Sequence, residues 1–252
     1  MTETLTLSAP RTDVPVRGTA PSLPTLVGLE MRKSTSHRSG RGFAAAAMLM
    51  GPVGLALAAL DAELGAVSGP MGVTAMMTGL VMLALGVVST AGEWTHRTVQ
   101  TSYLLVPRRG LVQTAKVAAV ALLGAAFAAV SGVGSLGVIA LVGVDDLNWD
   151  GWAQGLWVTV AAGAVFAVVG AGIGAATANT TAALTVLYLL ILGVLPLLRV
   201  SRPELGDAVD PAHATMLLGQ GMAEQRSILI LTGWVLVATV AGWVLTKRRA
   251  VQ

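Results

Sequence analysis

Residues 92–116, GEWTHRTVQTSYLLVPRRGLVQTAK, decide how the rest of the chain is read. This polar and basic island carries Glu93, His96, Arg97, Arg108, Arg109 and Lys116 between two apolar runs, each long enough to cross a bilayer. It is longer than a simple turn between two spans requires, which implies a task of its own. Outward from it the chain is mostly apolar: 54% of its 252 residues are hydrophobic and only 12% charged, against about 25% charged in soluble domains. The mean hydropathy of +0.75 agrees, and the class expected is an all-α membrane protein. There is no cysteine, hence no disulfide framework, thiolate metal site or cysteine nucleophile.

Six uncharged runs, 43–60, 71–92, 117–144, 155–178, 181–198 and 227–246, each approach or exceed the roughly 20 residues a helix needs to span the hydrocarbon layer. Gly51 and Pro52 predict a bend in the first. Gly170 and Gly174 form a GxxxG pair in the fourth, which suits close helix packing inside a bundle. Trp149, Trp152 and Trp157 gather at one boundary, as amphipathic rings do at an interface. Residues 1–22, rich in Pro, Thr, Ser and Arg, read as a disordered tail, and 23–249 as a single six-helix domain. Before the first run, Leu23, Leu26, Val27 and Met31 form an apolar stripe with Glu30, Arg32 and Lys33 on other faces. That pattern predicts an amphipathic helix in the interface.

The charges predict orientation. The N-terminal segment, the island and the C-terminal Lys247, Arg248 and Arg249 hold 13 of the 16 Lys and Arg residues, whereas the other connections hold 9 of the 13 acidic ones. The positive-inside rule then places both termini and the island in the cytoplasm, as an even number of spans requires. The basic residues serve topology beside the lipid bilayer, and nucleic acid is not an expected partner.

None of the six runs contains a charged residue or a histidine. Ion-coupled transport and intramembrane catalysis are therefore disfavoured, since both need groups that titrate or ligate at depth. Asp207 and Asp210 are expected in a solvated outer connection because Pro211 follows directly. The segment 212–222, AHATMLLGQGM, is apolar enough to re-enter the bilayer. No phosphate-binding loop is present, so the expected cofactor count for this chain is zero, and energy for transport would come from a separate ATPase. With apolar spans, a hydrophobic or amphipathic cargo is expected.

Taken as a helix, the island places Trp94, Thr98, Thr101 and Leu105 on one face and His96, Gln100 and Tyr103 on another. Pro107 ends that helix, and Arg108, Arg109 and Gly110 turn into the third span. The run Glu93, Trp94, His96, Thr98, Thr101, Pro107, Arg108, Arg109 and Lys116 resembles the loop between the second and third spans of bacterial ABC-2 type transporter permeases. It departs from that pattern at Thr95, where a basic residue is expected, and at Arg97, where glycine is. The resemblance covers about residues 23–249. It implies an ATP-driven exporter subunit of the cell membrane, partnered by ABC ATPase subunits, which hold the ATP, and by a second permease copy or homologue. It also implies that Glu93, Trp94, His96, Arg97, Thr98, Gln100, Thr101, Pro107, Arg108, Arg109 and Lys116 form the loop that meets the ATPase, preceded by an interfacial helix at Leu23–Lys33. The alternative is a non-transporting scaffold or immunity protein that occludes a target through its GxxxG surface.

Overall fold

The computed structural model describes residues 22–60, 64–95, 109–143 and 146–249. The described residues are helical throughout, apart from connections and one isolated parallel bridge between Ala66 and Asn148. In chain order the helices are α1 (Leu23–Ser36), α2 (Arg38–Ala58), α3 (Ser68–Thr95), α4 (Arg109–Val142), α5 (Trp152–Thr177), α6 (Thr180–Ser201), α7 (Pro203–Val209), α8 (Pro211–Gly219) and α9 (Glu224–Arg248). Six of these, α2, α3, α4, α5, α6 and α9, are long and apolar enough to cross a membrane, and each of the six apolar runs falls on one of them. The protein is thus an all-helical, multi-pass membrane protein.

α5 is the hub, because it packs most extensively against α3 and then against α4 and α9. Small side chains permit this. In lipid, helices gain little from burying apolar groups against one another, so association rests on close packing and interhelical hydrogen bonds. A Cβ added at Gly170 would come within 2.1 Å of the Leu83 carbonyl oxygen on α3, and one at Gly174 within 2.4 Å of Thr90 Oγ1. The GxxxG pair therefore lies in the α3 seam of this same chain. Thr90 Oγ1 spans the seam to donate to the Ala171 carbonyl at 3.0 Å. α2 continues as one helix through Pro52, with Gly51 set against the hydroxyls of Ser131 and Ser135 on α4.

Both ends of the described chain lie on one face, which we call the terminal face. There α1 packs along α4, and Arg249, just past the end of α9, reaches the ends of α3 and α5. α1 forms where the apolar stripe was expected, but its inward side differs from that reading. Leu26 is buried and Met31 packs against the bundle, while Glu30 and Lys33, set on other faces by the stripe, also meet partners within the bundle. Each has a partner of opposite charge, which offsets the cost of turning a charge inward.

At the far face, α7 and α8 fold back into the bundle. Trp234 Nε1 donates to the Val209 carbonyl at 2.9 Å, and Trp234 stands ten residues, about 15 Å, along α9 from its far-face end. Pro211, at the tip, meets Leu83, Phe166, Ile191 and Leu231 around one small void. The hairpin tip therefore sits at mid-height, and the fold-back covers 203–219, starting earlier than the segment 212–222 marked by composition.

This corrects the expectation for Asp210. It is not a solvated loop residue: only 2% of it is exposed, at the hairpin tip. It is the N-cap of α8, accepting from the amides of Ala212 at 2.9 Å and His213 at 3.1 Å, with Arg199 Nη1 3.6 Å away. Pro211 does not break the structure. It opens α8 at the first helical position, where a missing N–H costs nothing.

Candidate functional site

The expected island is described at its two ends. Residues 92–95 finish α3 and 109–116 open α4, while His96, Arg97, Thr98, Gln100, Thr101, Pro107 and Arg108 lie outside the described residues, as does the side chain of Arg109. The tail 1–21 lies outside them as well.

What the structure brings together is the neck of the island. Three consecutive residues close α3, and successive helical residues point about 100° apart, so Glu93, Trp94 and Thr95 address three different sides. Glu93 turns toward α1 and α4. Its carboxylate is paired with Lys33 of α1 and Lys116 of α4, both in close contact. Glu30, one turn before Lys33, completes the cluster: it lies 3.2 Å from Lys33 Nζ and 3.7 Å from Lys116 Nζ. Each lysine thus meets both carboxylates. The Lys116 and Glu93 side chains are only 6% and 11% exposed, so these charges are held largely away from water. Among the described residues two acids face two bases, and this pairing is what makes their burial tolerable. Burial pushes the Lys33 ammonium down, but Glu93 and Glu30 outweigh it and hold the pKa above the ordinary lysine value.

Trp94 turns the other way, under the guanidinium of Arg249 at 5.5 Å from the ring centre. Arg249 also donates from Nη1 to the Ala175 carbonyl at 2.8 Å and from Nη2 to that of Ala176. These carbonyls belong to the last turn of α5, where the helix leaves acceptors unpaired and its dipole is negative. A cation there is stabilised twice, by the helix end and by the ring face. Thr95 faces the third side, its hydroxyl 3.3 Å from that of Thr180 at the start of α6.

The last three residues of α3 are therefore tied to α1 and α4 by charge, to α5 and α9 through Arg249, and to α6 by a hydroxyl pair. Beside the charge cluster a cavity of about 420 Å³ opens between Lys33, His37 and Ser39 on one side and Leu85, Val88 and Ser89 on the other.

Of the residues expected in the site, Glu30, Lys33, Glu93 and Lys116 meet directly; Leu26 and Met31 seat α1. Leu23 stands 39% exposed, and among the described residues no ion pair joins Val27 or Arg32 to the cluster. Arg249 was legible only as one of three terminal basic residues. Nothing in its local sequence marks a helix end 73 residues earlier as its partner.

The hairpin tip holds a second group of polar side chains. Besides Arg199 and Asp210, His213 Nε2 stands 3.7 Å from Asp207 Oδ1. The signal for this group was present in the sequence: Asp followed by Pro is a helix start, an N-cap residue and then a first-turn proline. Among the described residues no three His, Asp or Glu side chains converge as a metal site requires. Comparison with protein-family models finds no match, and comparison with curated proteins finds none either.

Proposed function

We propose that this protein is the membrane-spanning permease of an ATP-driven exporter of the ABC-2 type, working in the cell membrane with separate ABC ATPase subunits and a second permease copy or homologue. The observation that carries this reading is the neck: residues 93–95, from which the island departs, are bound on three sides to α1, α4, α5, α6 and α9. A push on the island would reach α3 and be shared at once with these helices, as a rigid-body shift of packed elements requires. The island resembles a coupling loop, and the neck is what such a loop needs behind it. The terminal face would then be cytoplasmic, with α1 lying in the interface.

The chain does no chemistry of its own in this reading; ATP is bound and hydrolysed by the partner. The cargo is hydrophobic or amphipathic, in keeping with the apolar helices. Asp210 does not restore ion coupling, because its carboxylate is already committed to capping α8 and to Arg199. The scaffold reading relied on the GxxxG surface, and that surface is spent inside the chain against α3.

The test is co-purification in mild detergent with the candidate ATPase. Arg108→Glu with Arg109→Glu is expected to abolish the complex, since those residues lie on the island itself. Glu93→Gln is expected to leave the complex assembled. An ATPase that binds all three forms equally would contradict the assignment.

A further inference from the structure

α5 and α9 cross near the terminal face, at Gly172, Ala238 and Gly242. A Cβ at Gly172 would lie 2.4 Å from the Ala238 carbonyl oxygen, and one at Gly242 would lie 2.6 Å from that of Gly172, so the two backbones touch there. Toward the far face α8 packs on both helices, and a groove of about 510 Å³ is lined by Leu218 and by residues of α5 and α9. Its floor is Val158 and Leu231, 4% and 8% exposed, and its rims are Trp157 and Leu236, 69% and 57% exposed.

Two features say what fits it. The groove runs from Gln154 to Val165 on α5 and from Glu224 to Leu236 on α9, about 16–18 Å along the helices, close to half of the roughly 30 Å hydrocarbon layer. It is thus one leaflet deep. Its far-face end is polar and acidic. Gln154 Nε2 donates to the Leu218 carbonyl at 3.0 Å and to Glu224 Oε1 at 2.9 Å. That leaves Gln154 Oε1 and Glu224 Oε2 as acceptors with no hydrogen bond from any described residue. The nearby Arg226 points elsewhere, with Nη2 3.5 Å from the Glu204 carbonyl.

We propose that this groove is a binding site for one acyl chain of a phospholipid of the far-face leaflet, and that it selects an amine-bearing headgroup. The chain lies along Val158, Ala161, Val165 and Leu231. The ammonium supplies three donors and no acceptor, which suits two unused acceptors of which one is a carboxylate. A headgroup whose only net charge is its phosphate meets that carboxylate with repulsion. The site makes no use of the island or of any ATPase, so it stands independently of the transport reading.

Native mass spectrometry of the detergent-purified protein, delipidated and then offered phosphatidylethanolamine or phosphatidylglycerol with identical chains, tests it. The protein is expected to retain phosphatidylethanolamine about five- to tenfold better, as a charged hydrogen bond at a half-open site predicts. Glu224→Gln, which keeps the shape, is expected to remove that preference and keep the chain. Ala161→Trp and Thr232→Trp fill the groove from opposite walls, and each is expected to remove one bound lipid of either kind. Lipid retention unchanged in both tryptophan variants would overturn the site, and a preference that survives Glu224→Gln would overturn the headgroup selection. Loss of a dimer from the tryptophan variants, with lipid unchanged, would assign the groove to a second copy and overturn the proposal.

Discussion

The neck at the terminal face and the hairpin tip at mid-height both bury charge, and they satisfy it in opposite ways. Around Glu93 the partners are side chains from two other helices, and Lys33 and Lys116 lie 60 and 23 residues away in the chain. At the tip, Asp210 is satisfied first by the amides of the next helix, two and three residues on, and only then by Arg199 at longer range. The first arrangement joins separate helices and has no meaning for any one of them alone. The second finishes one short helix and would do so almost anywhere. A buried charge is thus evidence of coupling only when its partners lie on elements that can move against it.

Truncation separates the two regions, and the largest effect belongs to the neck. Lys116→Ala takes from both buried carboxylates the most buried cation they share, and the expected loss is about 3–5 kcal/mol in unfolding stability, read by denaturation in detergent. Glu93→Gln combined with Lys116→Met is expected to cost less than the sum of the singles, since both act on one cluster. Additive losses would mean that the pair is not coupled.

At the tip, Asp210→Ala is expected to cost about 1–2 kcal/mol as a lost cap, read by the same denaturation. Asp210→Asn should recover most of that, because asparagine also caps. If asparagine were as damaging as alanine, the ion pair with Arg199 would outweigh the cap, and the contrast between the regions would fail.

Arg249→Ala removes both the helix-end contact and the ring contact, for an expected loss of about 1 kcal/mol. The Trp94 fluorescence environment should change with it in a variant keeping that tryptophan alone.

The smallest effect is on pH dependence. The folded pKa of Lys33 is raised, so its contribution is complete below the ordinary lysine value of about 10.4 and is lost as pH rises through the folded value. A melting temperature that falls above about pH 10.5, with a shallower fall in Lys33→Met, is the expected pattern.

The six long helices were legible because uninterrupted apolar length is a one-dimensional property. Gly170 and Gly174 were legible as packing residues for a similar reason, since their spacing is local. The neck was only half legible. Glu93 and Lys116 stand out as charges flanking an island, but that Glu30 and Lys33 turn inward to meet them depends on how α1 docks along α4. The four-residue stripe at Leu23, Leu26, Val27 and Met31 sets both charges on other faces and says nothing of what those faces meet. Asp210 was misread for a different reason: Pro211 was weighed as a breaker, although after an aspartate it opens a helix. Arg249 needed the end of α5 as a partner, and no local pattern carries that.

In the proposed permease, the end of α3 passes movement from the island to the bundle. The chain has no cysteine, so spin labels can be placed directly, at Leu141 of α4 and Leu205 of α7, both exposed near the far face. The distance between them would be measured in the complex with the ATPase, with and without trapped nucleotide. We predict a shift of several ångströms on trapping in the native protein, as packed elements slide, and its loss in Glu93→Gln with the complex intact. An equal shift in both forms would contradict the account.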